Sequence, residues 1–231
     1  VTSPVVTRLV VASRYMPVYL AILVLVAVAS IWAPATLQSA GLNAIALFGT
    51  FLAIASLGQM LVIMTGGIDL SVPGTFTLGA IIVVGVGQQN DERIGIAILT
   101  ALGLAALAGL VNGLLIGGLK LNPLIVTLAA GQVVTGLVNR YHKSFAIQSS
   151  VPRGLADFFL QRWLGISRMF WVGAAITVVL ILAFRFTTFG RRFQAVGANP
   201  VAAEISGLRV NINQIAAYVV ASMLYATAGI L

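Results

Sequence analysis

Asp69 is the only acidic residue in the first ninety positions of this 231-residue chain. It stands in the run Gly66-Gly67-Ile68-Asp69-Leu70-Ser71-Val72-Pro73-Gly74, between two long apolar stretches. A carboxylate at the centre of a spanning helix costs about 2.5 kcal/mol or more. It is tolerated where the backbone breaks and lines a protein-enclosed or watery space. Two glycines before Asp69 and Pro73-Gly74 after it supply such a break. One helix is therefore expected to end at Gly66 and the next to begin between Ser71 and Pro73. That puts Asp69 near the positive end of the second helix. The plainer alternative, Asp69 as an N-cap in headgroup water, stays open at this stage. As a gate or packing corner, the break comprises Gly66, Gly67, Asp69, Ser71 and Pro73.

Other reactive chemistry is sparse. There is no cysteine, and His142 is the one histidine, so metal ligands and a Ser–His or thiolate nucleophile are not assembled. Lys120 and Lys143 are the only lysines, and neither follows a glycine, so no Walker-type phosphate loop exists. No catalytic residue, metal or cofactor is expected on the chain. The apolar runs instead carry neutral polar groups: Asn43, Gln59, Asn112, Thr127 and Gln132. Such groups pass a neutral polyol by exchanging hydrogen bonds without a trapping charge. They are candidate pathway-lining residues, although interhelical hydrogen bonding is the simpler role for any one of them.

The elements that position these residues are membrane helices. The chain is 60% hydrophobic and 8% charged, where a soluble domain carries about 25% charge. Apolar runs at 17–33, 42–65, 73–87, 94–119, 123–139 and 169–186, with another from 212, predict an all-α, polytopic transmembrane bundle of about seven helices. Residues 17–33 also satisfy signal-peptide grammar, but an uncleaved first helix is the preferred reading. Gly109, Gly113 and Gly117 recur at a four-residue spacing that lets helix backbones approach closely. Residues 154–164 read as an amphipathic helix at the interface. With the N-terminal head on the cytoplasmic side, that side holds seven Lys and Arg against six opposite, Arg8 and Arg14 among the seven. Charge alone leaves the orientation unsettled.

Residues 187–211 form a second informative segment. Asn199 suits a helix N-cap, Pro200 the first turn and Gly207 a stop. The helix so bounded comprises Asn199, Pro200, Val201, Ala202, Ala203, Glu204, Ile205, Ser206 and Gly207, with Val201, Ile205 and Leu208 on one face. So short a helix needs a surface to pack on, which makes it a candidate docking knob.

Three stretches resemble the ribose-type sugar permeases of bacterial ABC importers. They are Gly66 to Val72, Asn112 to Ile116 followed by Lys120 to Leu128, and Phe189-Gly190 through Asn199-Pro200 to Val210. Pro73 departs from that family's usual glycine and stiffens the turn. The resemblance implies a homo- or heterodimeric core of about ten helices per subunit, so this chain, as one permease domain over 1–231, is expected to lack a C-terminal part. It implies cytoplasmic ATPase subunits that hold ATP and magnesium, an extracytoplasmic sugar-binding protein, a bacterial inner-membrane location and a cytoplasmic N-terminus. It also assigns 187–211 as the coupling segment and the 199–207 helix as the part the ATPases grip. The implied function is passage of a neutral monosaccharide. The alternatives are a permease for nucleosides or branched-chain amino acids, or a secondary transporter or channel working without ATP.

Overall fold

The computed structural model describes residues 4–144 and 150–231, with side chains from Met16 onward. The side chains of Arg8 and Arg14 lie outside the described residues. The chain divides into two units, one ending at Ala46 and the other Leu47–Leu231.

The first unit contains α1 (Pro4–Trp32), a 3-10 turn at Pro34–Leu37 and the start of α2 (Ser39–Met64). Proline ends α1, because Pro34 has no N–H to continue the ladder. The described part of α1, Met16–Trp32, is apolar and exposed along its length.

The second unit continues α2 and adds α3 (Val72–Gly87), α4 (Ile94–Gly113), a π-helical turn (Leu114–Gly118) and α5 (Pro123–His142). Beyond these come α6 (Arg153–Leu160), a two-residue hairpin of β1 (Arg162–Trp163) and β2 (Ile166–Ser167), and α7 (Arg168–Phe186). The unit closes with α8 (Thr188–Ala198), α9 (Pro200–Ile205) and α10 (Val210–Ile230). The fold is an all-α membrane bundle, and α1, α2, α3, α4, α5, α7 and α10 correspond to the seven apolar runs. By length and composition, Ser39–Met64, Asp91–Gly118 and Arg168–Phe186 are long and apolar enough to cross a membrane.

Within the second unit, α10 is the central post. The glycine spacing on α4 works as anticipated. A Cβ on Gly109 would lie 2.5 Å from the Tyr218 carbonyl oxygen, one on Gly113 2.8 Å from Ile215 Cα, and one on Gly117 3.0 Å from the Asn211 carbonyl oxygen. Three successive turns of α4 and its π-helical continuation thus lie backbone against backbone on α10. On the other side of α10, Ile54 and Leu61 of α2, Phe184 of α7 and Phe193 of α8 join Ala217 and Leu224 in one buried cluster. Outward faces carry Leu, Ile and Val, such as Leu52, Leu99, Leu107, Ile125 and Val179, as suits a lipid solvent.

Two sequence expectations shift. The amphipathic stretch is helical only to Leu160. Leu164 and Gly165 then take positive φ to turn the hairpin, so 161–167 is not helix. Residues 188–198 form α8, a second helix in the segment beside the one bounded by Asn199 and Gly207. Its buried Phe193 and Val196 lie three apart on one face.

The loops of this unit sort to two ends. At one, Gly87 packs on Pro152 and the Asp91 carboxylate accepts the Gly154 N–H at 2.8 Å. At the other, the Lys120 ammonium donates to Asn211 Oδ1 (2.5 Å) and Gln214 Oε1 (3.3 Å), and Gln214 Nε2 donates to the Thr65 carbonyl at 3.5 Å. The 66–71 junction, the 119–122 turn and the 187–209 segment therefore share a side. Alternating crossings require the same grouping.

Candidate functional site at the helix junction

α2 ends at Met64 and α3 begins at Val72, within the limits expected from the glycines and Pro73. Thr65 and Gly66 close the last turn of α2 by donating to the Val62 and Ile63 carbonyls, and Gly66 takes φ +80°. Gly67 fits because Tyr218 leans on it: a Cβ there would sit 2.5 Å from Tyr218 Oη. The helix α3 has 16 residues, about 24 Å against a hydrocarbon core of about 30 Å.

The junction makes up the difference by entering the protein. The Leu70 N–H donates to Thr127 Oγ1 at 2.9 Å, and Ser71 Cα lies 3.0 Å from the Cβ position of Gly131. Gly131 is eight residues into α5, so Ser71 sits about 12 Å below the start of that helix. Asp69 is only 2% exposed. It is not an N-cap in headgroup water. Ser71 holds the cap position of α3 without a side-chain cap bond.

The Asp69 side chain instead closes a local turn. Its Oδ1 accepts the Ser71 N–H at 2.8 Å and the Ser71 hydroxyl at 2.6 Å. Asn112 Nδ2, from α4, donates to that same hydroxyl at 3.2 Å. Tyr218 Oη donates to the Ile68 carbonyl at 3.4 Å, and Tyr225 Oη to Gln59 Oε1 at 2.9 Å. Thr127 donates onward to the Pro123 carbonyl. Segments from α2, α4, α5 and α10 thus converge on the seven residues of irregular backbone at 65–71, leaving Asp69 Oδ2, Asn112 Oδ1 and Ser222 Oγ buried without a hydrogen-bond partner among the described residues.

At the same end as the junction, α9 is built as its caps predict. Asn199 Oδ1 accepts the Ala202 N–H at 3.0 Å. Gly207 takes φ +82°, and the N–H groups of Gly207 and Leu208 donate to the Glu204 and Ala203 carbonyls. Val201 (67% exposed) and Ile205 (84% exposed) point away from the bundle. Leu208 does not share their face; it turns inward against Val196, Ala203 and Val210.

Residues 41–231 match the protein family described as branched-chain amino acid transport system, permease component. The chain belongs to this permease family. It is 35% identical over 221 residues to the autoinducer 2 import system permease protein of Enterobacter sp. (strain 638), covering 94% of this chain and 63% of that protein. It is 31% identical over 183 residues to the fructose import permease protein of Rhizobium meliloti, covering 76% and 51%. With the ribose import permease protein of Escherichia coli (strain K12) the identity is 30% over 217 residues, covering 92% and 67%. The chain therefore spans about half to two thirds of the length of these relatives. No solved structure matches it.

In this permease the structure gathers some of the sequence-predicted residues and separates others. Gly66, Gly67, Asp69, Ser71, Asn112 and Thr127 form one cluster, and Gln59 is joined through Tyr225. Pro73 is in the first turn of α3 but faces an apolar groove with Phe48, Phe51 and Phe76. Gln132 is exposed on α5, and Asn43, in the first unit, donates to the Ser39 carbonyl of its own helix. Sequence reading missed Tyr218, Ser222 and Tyr225. Their signal was an i, i+4, i+7 polar stripe on an otherwise apolar helix.

Proposed function

We propose that this chain is the membrane-spanning subunit of a bacterial ABC importer for a neutral monosaccharide. With a second permease subunit it lines the pathway across the inner membrane. An extracytoplasmic binding protein delivers the sugar, and cytoplasmic ATPase subunits hydrolyse magnesium-bound ATP. The chain itself carries no ATPase motif. The N-terminus and the 187–211 segment are cytoplasmic.

The observation that carries this reading is α9. A six-residue helix, capped at both ends, holds two large apolar side chains away from the protein that supports it. Exposed aliphatic side chains at i and i+4 suit insertion into a groove on a partner. α9 is also well placed to pass on a push. At Gly197, the backbone of α8 abuts the Met64 carbonyl, so closely that no Cβ would fit. Met64 ends α2, immediately before the Asp69 junction, so a load on α9 reaches the break directly. For the substrate, the relatives named for fructose, ribose and galactose import favour a sugar, and Gln59, Asn112 and Thr127, the polar groups gathered about the junction, are uncharged.

The test is uptake by the full-length permease reconstituted with its ATPase and binding protein. Uptake of a radiolabelled monosaccharide is expected with active ATPase and not with an ATPase lacking its catalytic carboxylate. Uptake that persists with the inactive ATPase would favour a secondary transporter or channel. ATP-dependent uptake of leucine or a nucleoside instead of sugar would reassign the substrate.

A further inference from the structure

Asp69 is a buried acid that faces no cation among the described residues. The titratable side chains that sense its charge are the phenols of Tyr218 and Tyr225 on α10. The groups it meets from α3 and α4 are Ser71 and Asn112, and α5 holds the adjoining Leu70 through Thr127; none of these titrates near neutrality. Lys120, at the same end of the bundle, bonds Asn211 and Gln214 instead. A buried charge without a partner is neutralised rather than tolerated.

The hydrogen-bond directions around Ser71 say how. A serine hydroxyl has one proton. It is given to Asp69 Oδ1, so the hydroxyl oxygen accepts from Asn112 Nδ2. The amide of Asn112 is thereby oriented, and its Oδ1 is an acceptor with nothing to accept. Asp69 Oδ2 is a second such acceptor, and both atoms are closed off from solvent. The carboxyl and the amide are already bridged on one side through Ser71, and each has one unused oxygen. A single proton on Asp69 Oδ2 supplies the one missing donor.

We propose that Asp69 is held as a neutral carboxylic acid whose Oδ2–H donates to Asn112 Oδ1. The ring then runs from the Asn112 amide N–H to Ser71 Oγ, from the Ser71 hydroxyl to Asp69 Oδ1, and from the Asp69 acid back to the Asn112 carbonyl. It clamps the start of α3 to α4 by complementary donors and acceptors. Nothing in this depends on which solute the permease carries.

Asparagine at position 69 has the same shape as the protonated acid and offers an N–H where the acid offers an O–H. Asp69→Asn should therefore preserve the ring, while Asp69→Val removes it. The experiment is infrared spectroscopy and thermal unfolding of the full-length permease in lipid nanodiscs. At pH 7 the wild type should show a carboxylic-acid C=O band that shifts in deuterium oxide and is absent from Asp69→Asn. The other four acids of this chain, Asp91, Glu92, Asp157 and Glu204, are all exposed. Asp69→Asn should melt within about 2 °C of wild type, and Asp69→Val at least about 5 °C lower. Absence of the band at pH 7 would overturn the proposal, whether the charge is met by water or by a monovalent cation; sodium-dependent melting of the wild type would identify the latter. Melting of Asp69→Asn together with Asp69→Val would overturn it equally, since the ring would then not be what the residue supports.

Discussion

Gly66 and Gly67 are neighbours that need glycine for different reasons. Gly66 has φ +80° and open space around it, so its constraint is purely the backbone. Replacing it with Ala should cost about 1 kcal/mol and lower the melting temperature by about 2–4 °C without changing partner binding. Gly67 is constrained by packing: a side chain there meets Tyr218 Oη and Val62 Cγ1. Gly67→Val should cost about 1–3 kcal/mol, and truncating its neighbour in Tyr218→Ala should partly relieve the loss; a double-mutant cycle measured by thermal unfolding checks this. The carboxyl of Asp69 adds a pH signature. If the folded protein keeps a proton that the unfolded chain releases, its pKa is raised on folding, and stability falls as pH rises above the ordinary carboxylate range. Melting of wild type should decline from pH 5 to pH 9 relative to Asp69→Asn, in which position 69 cannot titrate. Asp69, Gly66 and Gly67 all stood out in the sequence, because a carboxylate and paired glycines are conspicuous against hydrocarbon. Ser222, Tyr218 and Tyr225 did not, because tyrosine and serine are ordinary in membrane helices until their shared direction is seen.

At the scale of the element, short α9 and long α4 follow opposite logics. α9 is too short to be stable alone and depends on its caps and on Val196, Ala203 and Val210 beneath it. Asn199→Ala removes the bond to Ala202 and should cost about 1 kcal/mol, weakening ATPase co-purification. Ile205→Asp leaves every internal contact in place, because that side chain faces outward, and should abolish co-purification while membrane insertion is unchanged. Normal recovery of the ATPase with Ile205→Asp would refute docking through α9. Gly113→Leu tests α4: its side chain would run into Ile215, force α4 away from α10 and reduce folded yield in detergent. The caps of α9 and the glycine spacing of α4 were legible because both are local patterns. α8 was not. Its Gly190 and Gly197 argue against a helix locally, and each is retained because a neighbouring backbone, at Phe184 and Met64, presses against it.

Taken whole, the second unit puts the junction and the 187–209 segment at one end and the 88–93 and 150–167 segments at the other. The chain has no cysteine, so single introduced thiols report sidedness cleanly. In sealed right-side-out vesicles, Glu92→Cys should react with a membrane-impermeant maleimide from outside, and Arg192→Cys only after permeabilisation; the reverse pattern would invert the orientation proposed above. Grooves of about 650 and 550 Å³ on the second unit are apolar, lined by groups such as Phe51 and Phe76 or Leu107 and Ile125. They suit lipid or further helices better than a sugar. What the sequence determined by itself was the solvent, the helices, the break and the caps. These follow from hydropathy, backbone sterics and hydrogen bonding between near neighbours. Only the tertiary structure decided that the break is drawn about 12 Å into the protein, that Asn112 and Asp69 share one serine, and that α8 meets the end of α2. Those outcomes depend on which helix faces which, and in a chain where nearly every face is apolar, hydropathy does not encode that choice; it is made by close approach at glycines and by pairing of the few polar groups.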